Sequence, residues 1–115
     1  MLFRSGERLD IAHDALVPTV TKVLEDIQSS MYARARAFRE EHTSFAGSYE
    51  ELKALLSERG GFVEAYFAGS PEDERRIREE TGGATPRCIP LSDSSRGKCV
   101  VTGREGRRTI FAKAY

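Results

Sequence analysis

The chain has 115 residues, 39 % of them apolar and 31 % charged, with 18 Lys and Arg against 18 Asp and Glu. That is one domain's worth of chain, able to bury about two-thirds of its unfolded surface in a single core and too apolar to remain disordered. A formal charge of zero argues against a whole-molecule electrostatic grip on nucleic acid or anionic lipid.

The balance is uneven along the chain. Residues 1–83 carry 11 basic and 16 acidic side chains, and residues 84–115 carry 7 and 2, so the last third is either a local anion-facing surface or a solvated face. No apolar run approaches the ~20 residues that span a bilayer, and MLFRSGERL lacks the apolar stretch of a signal peptide. A soluble, cytoplasmic protein with no membrane partner is expected, and in that compartment Cys88 and Cys99 are free thiols rather than a disulfide.

In chain order, ERLDIA (7–12) alternates polar and apolar residues and predicts a short strand. A long helix follows, in which Leu16, Val17, Val20, Val23, Leu24, Ile27, Met31, Tyr32, Ala35 and Phe38 recur three and four apart. That spacing predicts an apolar stripe facing a core, with Lys22, Glu25, Asp26 and Arg36 on the wet side. Pro18 fits because the first turn needs no N–H. Ser48 to Glu51 make a capping box for a short helix that ends at the pair Gly60 and Gly61.

GFVEAYFAG (61–69) is rich in aromatic and β-branched residues and predicts a strand. In SPEDERRIREETGG, Ser70 stands at the N-cap, Pro71 at the first helical position and acidic residues in the first turn, with Gly82 or Gly83 past the end. ATPRCIPL (84–91) predicts an edge strand because prolines bound it. KCVVTGREGRRTIFAKAY predicts a hairpin with one strand from Cys99 to Val101, a turn at 103–106 and a last strand from Thr109. The expected order is β-α-α-β-α-β-β-β, an α+β, two-layer domain with helices on one face of a mixed sheet. Within it, residues 1–60 form a strand and helical lead-in, and residues 61–115 form an α/β part with a terminal hairpin.

Little of this carries chemistry. His13 and His42 sit near helix ends outside any HExxH spacing, and the glycines of TGREG (102–106) lack the Gly-Lys-Ser/Thr of a phosphate loop. A structural zinc needs four Cys or His ligands, whereas Cys99 has Thr102 where a Cys-x-x-Cys knuckle would place its second sulfur. Cys99 is therefore either a relic of a metal site or an ordinary buried cysteine. The clusters RARAFRE (34–40) and REGRRTIF (104–111) mix arginine with aromatic residues, a weakly specific sign of RNA contact.

EETGGATPRCIPL (79–91), GKCVVTG (97–103) and the terminal TIFAKAY (109–115) resemble the C-terminal domain of prolyl-tRNA synthetases of the archaeal and eukaryotic type. ARAFREEHT (35–43) and SYEELKALL (48–56) extend the resemblance upstream. It implies a fold of the initiation-factor-three C-terminal type, following catalytic and anticodon-binding domains in a homodimeric parent that uses ATP and Mg to join proline to tRNA(Pro). It also implies one structural zinc, whose ligand positions fall here on Ala68, Asp73, Cys99 and Thr102. Only one of these is a cysteine, so a zinc-free version is expected, with no metal and no catalytic residue in this segment. The resemblance further implies that the carboxylate of Tyr115 turns toward the aminoacylation site. The alternative function is a free-standing RNA-binding module using Arg104, Arg107, Arg108 and Lys113.

Overall fold

The computed structural model describes residue 6 and residues 8–114. By their contacts they fall into two compact units, 1–38 and 39–115.

The first unit holds a short 3₁₀ turn, His13–Ala15, and most of α1, Leu16–Glu41. The strand expected over 7–12 does not extend: residue 7 lies outside the described residues, Arg8 is a single bridge residue, and residues 9–12 take no regular structure. Two alternating apolar residues supply too little apolar surface to extend that bridge into a strand. α1 forms as its periodicity predicts, but no residue of it is buried, and Leu24 and Met31 remain 61 % and 57 % exposed. The expected packing of its stripe on a core is corrected accordingly. Amphipathic spacing shows that a helix suits a partner, not that the partner lies within the same chain.

The second unit is a mixed sheet with two helices on one face. Its strands are β1 (Thr43–Phe45), β2 (Phe62–Phe67), β3 (Ala84–Cys88), β4 (Arg96–Lys98) and β5 (Glu105–Lys113), in the order β1-β2-β5-β3 with β4 also paired to β5. β1 runs parallel to β2, and the pairs made by β5 are antiparallel. The fold is thus α+β with a mixed sheet as expected, but the order begins α-β-α-β-α. β1 was not foreseen because three residues between a helix and Gly47 carry no alternation of their own.

α2 (Tyr49–Glu58) starts where Ser48 Oγ accepts from the Glu51 N–H at 3.2 Å. The Glu51 carboxylate accepts from Gly47 N–H at 2.8 Å, one residue ahead of the amide that a full capping box would use. Gly60 and Gly61, with φ of 66° and 74°, carry the chain out of the helix. α3 (Pro71–Thr81) forms as predicted. Ser70 and Asp73 cap each other reciprocally, and Gly82 closes the helix at φ 70°.

Side chains of β2 and β5 alternate between the faces of the sheet. Val63, Ala65 and Phe111 point inward with Leu52 and Leu56 of α2 and Ile77 of α3, each 0–1 % exposed. Phe67 packs edge-on to Phe111 at 5.5 Å between ring centroids. β3 lies at the sheet edge, where Pro86 costs no ladder bond, and a register shift follows it before Cys88. The hairpin differs from expectation. Residues 99–104 are its turn, β4 precedes Cys99, and β5 begins at Glu105 rather than Thr109.

Candidate functional site

The turn between β4 and β5 is built around the sulfur of Cys99. The Cys99 N–H donates to Arg104 O at 2.7 Å and the Gly103 N–H to Cys99 O at 3.0 Å, which folds the chain into a tight knuckle. Gly103 has φ 73°, a conformation that a side chain disfavours. The Val100 N–H donates to Tyr66 O at 3.0 Å, so the knuckle is fastened to β2 instead of extending the hairpin. Two valines in a row suggest a strand locally, but their amides are claimed by the turn and by β2.

Cys99 is 2 % exposed, and its Sγ accepts from the Ala68 N–H at 3.2 Å and the Thr102 N–H at 3.4 Å. Thr102 Oγ1 donates to Ala68 O at 3.4 Å, and Arg104 Nη2 reaches the same carbonyl at 3.1 Å. Burial pushes the Cys99 thiol up, but hydrogen bonds from Thr102, Ala68 and Val101 outweigh it and leave it below its ordinary range. Asp73 lies one turn into α3. Its carboxylate accepts from the Ser70 N–H at 2.8 Å and the Ser70 hydroxyl at 3.1 Å, and these bonds, aided by the charge of Arg104, hold it below the usual carboxylate range.

The structure therefore brings Ala68, Cys99 and Thr102 into direct contact, while the Asp73 carboxylate is turned onto its own Ser70 cap. Their donors do not fit a structural zinc. The four positions offer one thiol and one carboxylate, Ala68 offers no side-chain ligand, and the Asp73 carboxylate is already engaged by its cap. Among the described residues no group of three or more His, Cys, Asp or Glu side chains is placed to hold a metal ion.

The basic residues of the last strand do not form one patch. Arg104 is turned onto Ala68. Arg108 forms ion pairs with Glu64 and with Asp93, the latter at 3.2 Å. Arg107, on the opposite face of β5 from Arg108, is exposed and stands in register with Arg96. Lys113 closes the strand about 30 Å from Arg104 by strand rise. Tyr115 lies outside the described residues.

A feature that sequence reasoning missed is the face of the sheet turned away from α2 and α3. Phe62, Glu64, Arg108 and Ile110 line a cleft of about 600 Å³ there, with Arg87 and Cys88 of β3 on one side and Arg39 and Glu40 from the end of α1 and Thr43 of β1 also in its wall. A second cleft of about 570 Å³ shares Phe62 and Arg87 and continues to Lys113 and Ala114. Its signal in the sequence was the other half of the alternation in FVEAYF, in which Phe62, Glu64 and Tyr66 oppose the core set.

A small α+β domain with a cysteine-centred knuckle and no metal-ligand cluster among its described residues is the class of module that these observations define. Residues 49–115 match the family model described as prolyl-tRNA synthetase, C-terminal, and the chain belongs to that family. It is 47 % identical over 107 residues to a proline-tRNA ligase of Roseiflexus sp. (strain RS-1), covering 91 % of this chain and 22 % of that protein. A proline-tRNA ligase of Cytophaga hutchinsonii is 42 % identical over 111 residues, covering 95 % and 22 %. One of Chloroflexus aurantiacus is 49 % identical over 102 residues, covering 87 % and 21 %. The chain thus spans about a fifth of the length of these relatives. Among the described residues no helix is long and apolar enough to cross a membrane.

Proposed function

We propose that this chain serves as the C-terminal domain of a prolyl-tRNA synthetase, an enzyme that joins proline to tRNA(Pro) with ATP and Mg in the cytoplasm, acting as a homodimer. The domain packs on the catalytic and anticodon-binding part of the same polypeptide and brings the carboxylate of Tyr115 to the aminoacylation site. It contributes no catalytic residue of its own. The observation that carries this reading is the match over 49–115, which contains both the knuckle and the final strand. β5 supports the placement of Tyr115, because a strand paired with β2 as far as Phe111 and with β3 through Lys113 directs the last residues along a fixed line.

The knuckle works without zinc. Cys99 collects backbone N–H groups that orient the turn, and the Ser70–Asp73 cap holds the neighbouring helix end. In the full-length synthetase, deletion of Tyr115 is expected to slow prolyl-tRNA formation while leaving the melting temperature unchanged, and elemental analysis is expected to find no stoichiometric zinc in this domain. Unaltered charging kinetics would remove the role given to Tyr115, and a bound zinc would remove the metal-free knuckle.

A second reading, a free-standing RNA-binding module, is favoured by one feature. Arg96 and Arg107 face each other across β4 and β5, and both are exposed without an ion-pair partner among the described residues. Salt-dependent binding of tRNA by the 115-residue chain alone would support it.

A further inference from the structure

We infer that the open face of the sheet, centred on Phe62 and Ile110, is the surface by which this domain seats on the rest of its own synthetase chain; the inference rests on the reading given above. In a two-layer domain one sheet face is covered by helices and the other faces water, where polar residues are the rule. Here that face keeps Phe45 and Phe62, 47 % and 43 % exposed, with Ile110 half-buried between the sheet strands. Phe45 is held in place by edge contact with Tyr66 at 5.8 Å, and a Cβ on Gly97 would overlap the Tyr66 ring, so this end of the face is rigidly built. The two clefts that meet at Phe62 are wide enough to accept side chains from another surface. Exposed apolar area of this kind, rimmed by charge, marks an interaction surface.

Two observations choose the occupant. The chain spans 21–22 % of the relatives it matches, so most of such a polypeptide lies outside these residues and supplies a covering surface at high effective concentration. The charges of the face are sorted as well. Glu64 and Asp93 are consumed internally by Arg108, and Arg39 and Glu40 at the end of α1 add one charge of each sign to the cleft wall, whereas Arg87 and Lys113, on the side toward the chain's end, make no ion pair among the described residues. Arg87 has only a bond of 3.4 Å from its Nε to Ala112 O. The complementary surface is therefore apolar at its centre and acidic at its rim, which a nucleic acid is not.

Cys88 reports on this contact without an added probe. It is exposed and lines the cleft, while Cys99 is buried and serves as the unreactive reference. Labelling of Cys88 by a maleimide is measured in the 115-residue chain and in the full-length synthetase that carries it. The expected result is labelling about tenfold slower in the full-length protein, restored toward the rate of the isolated chain by Phe62→Asp. Equal rates in the two proteins would overturn the inference. So would protection of the isolated chain that grows with its own concentration, which makes a second copy the occupant, or protection that requires added tRNA. Should Cys88 label equally while loss of the domain still abolishes charging, the seating surface fails and the proposed function stands.

Discussion

At the scale of single residues, Cys99 carries the most information. Its sulfur is the acceptor of two backbone amides, from Ala68 on one side of the site and Thr102 on the other. Removing it leaves both N–H groups without that partner in a half-buried place, and an unsatisfied donor costs about 1–3 kcal/mol. Cys99→Ala is expected to lower the unfolding free energy by about 2 kcal/mol in urea denaturation, and Cys99→Ser, which keeps an acceptor, by less. Equal losses from the two variants would show that volume rather than hydrogen bonding sets the cost. Thr102 has a comparable double duty, since its amide feeds Cys99 and its hydroxyl feeds the Ala68 carbonyl. Thr102 thus closes the knuckle onto Ala68 with hydrogen bonds.

At the scale of elements, α3 shows how local chemistry makes a boundary and α1 shows where local chemistry stops. Ser70, Pro71 and Asp73 define the start of α3 before any tertiary contact is considered. Because the Ser70 N–H and hydroxyl hold the folded Asp73 carboxylate below its usual range, its contribution is present above the unfolded value, about pH 4, and is lost as pH falls through the lower folded value. Urea midpoints measured between pH 6 and about pH 2 are expected to fall less steeply for Asp73→Asn than for the parent chain, and parallel curves would assign the acid sensitivity to other carboxylates. α1 is the opposite case. Its 26 residues have clear periodicity, yet none is buried. A helix needs packing of its apolar face for most of its stability, so spacing alone could describe this element but not its partner.

At the scale of the whole molecule, stability is concentrated in the second unit. Phe111, fully buried at the centre of β5, meets Phe67 edge-on and belongs to the cluster that joins α2 and α3 to the sheet. Phe111→Ala is expected to cost about 3–5 kcal/mol in urea denaturation, whereas Phe62→Ala on the open face is expected to cost less than about 1 kcal/mol in the isolated chain. The reverse ranking would mean that the face regarded here as open is covered within the chain itself.

Much of this architecture was legible in the residues alone. α2, β2 and α3 were readable because their caps, glycine stops and alternation act within a few residues of each other, and the family was readable from 79–91, 97–103 and 109–115. The placement of Ala68 and Thr102 beside Cys99 was not derivable from spacing; the family resemblance suggested it, and the fold brought it about. β1 and the turn at Cys99 to Val101 were misread because each depends on a partner far along the chain: β1 on β2, and Val100 on the Tyr66 carbonyl. The cleft at Phe62 was hidden for the same reason, since alternation tells which residues share a face but not which face the helices cover. What the sequence by itself determined were the features written in short-range hydrogen bonds and backbone preferences. Which surfaces are buried, which cations are paired and which aromatic rings stay exposed only the tertiary structure decided, because each is a contact between residues that the chain must fold to bring together.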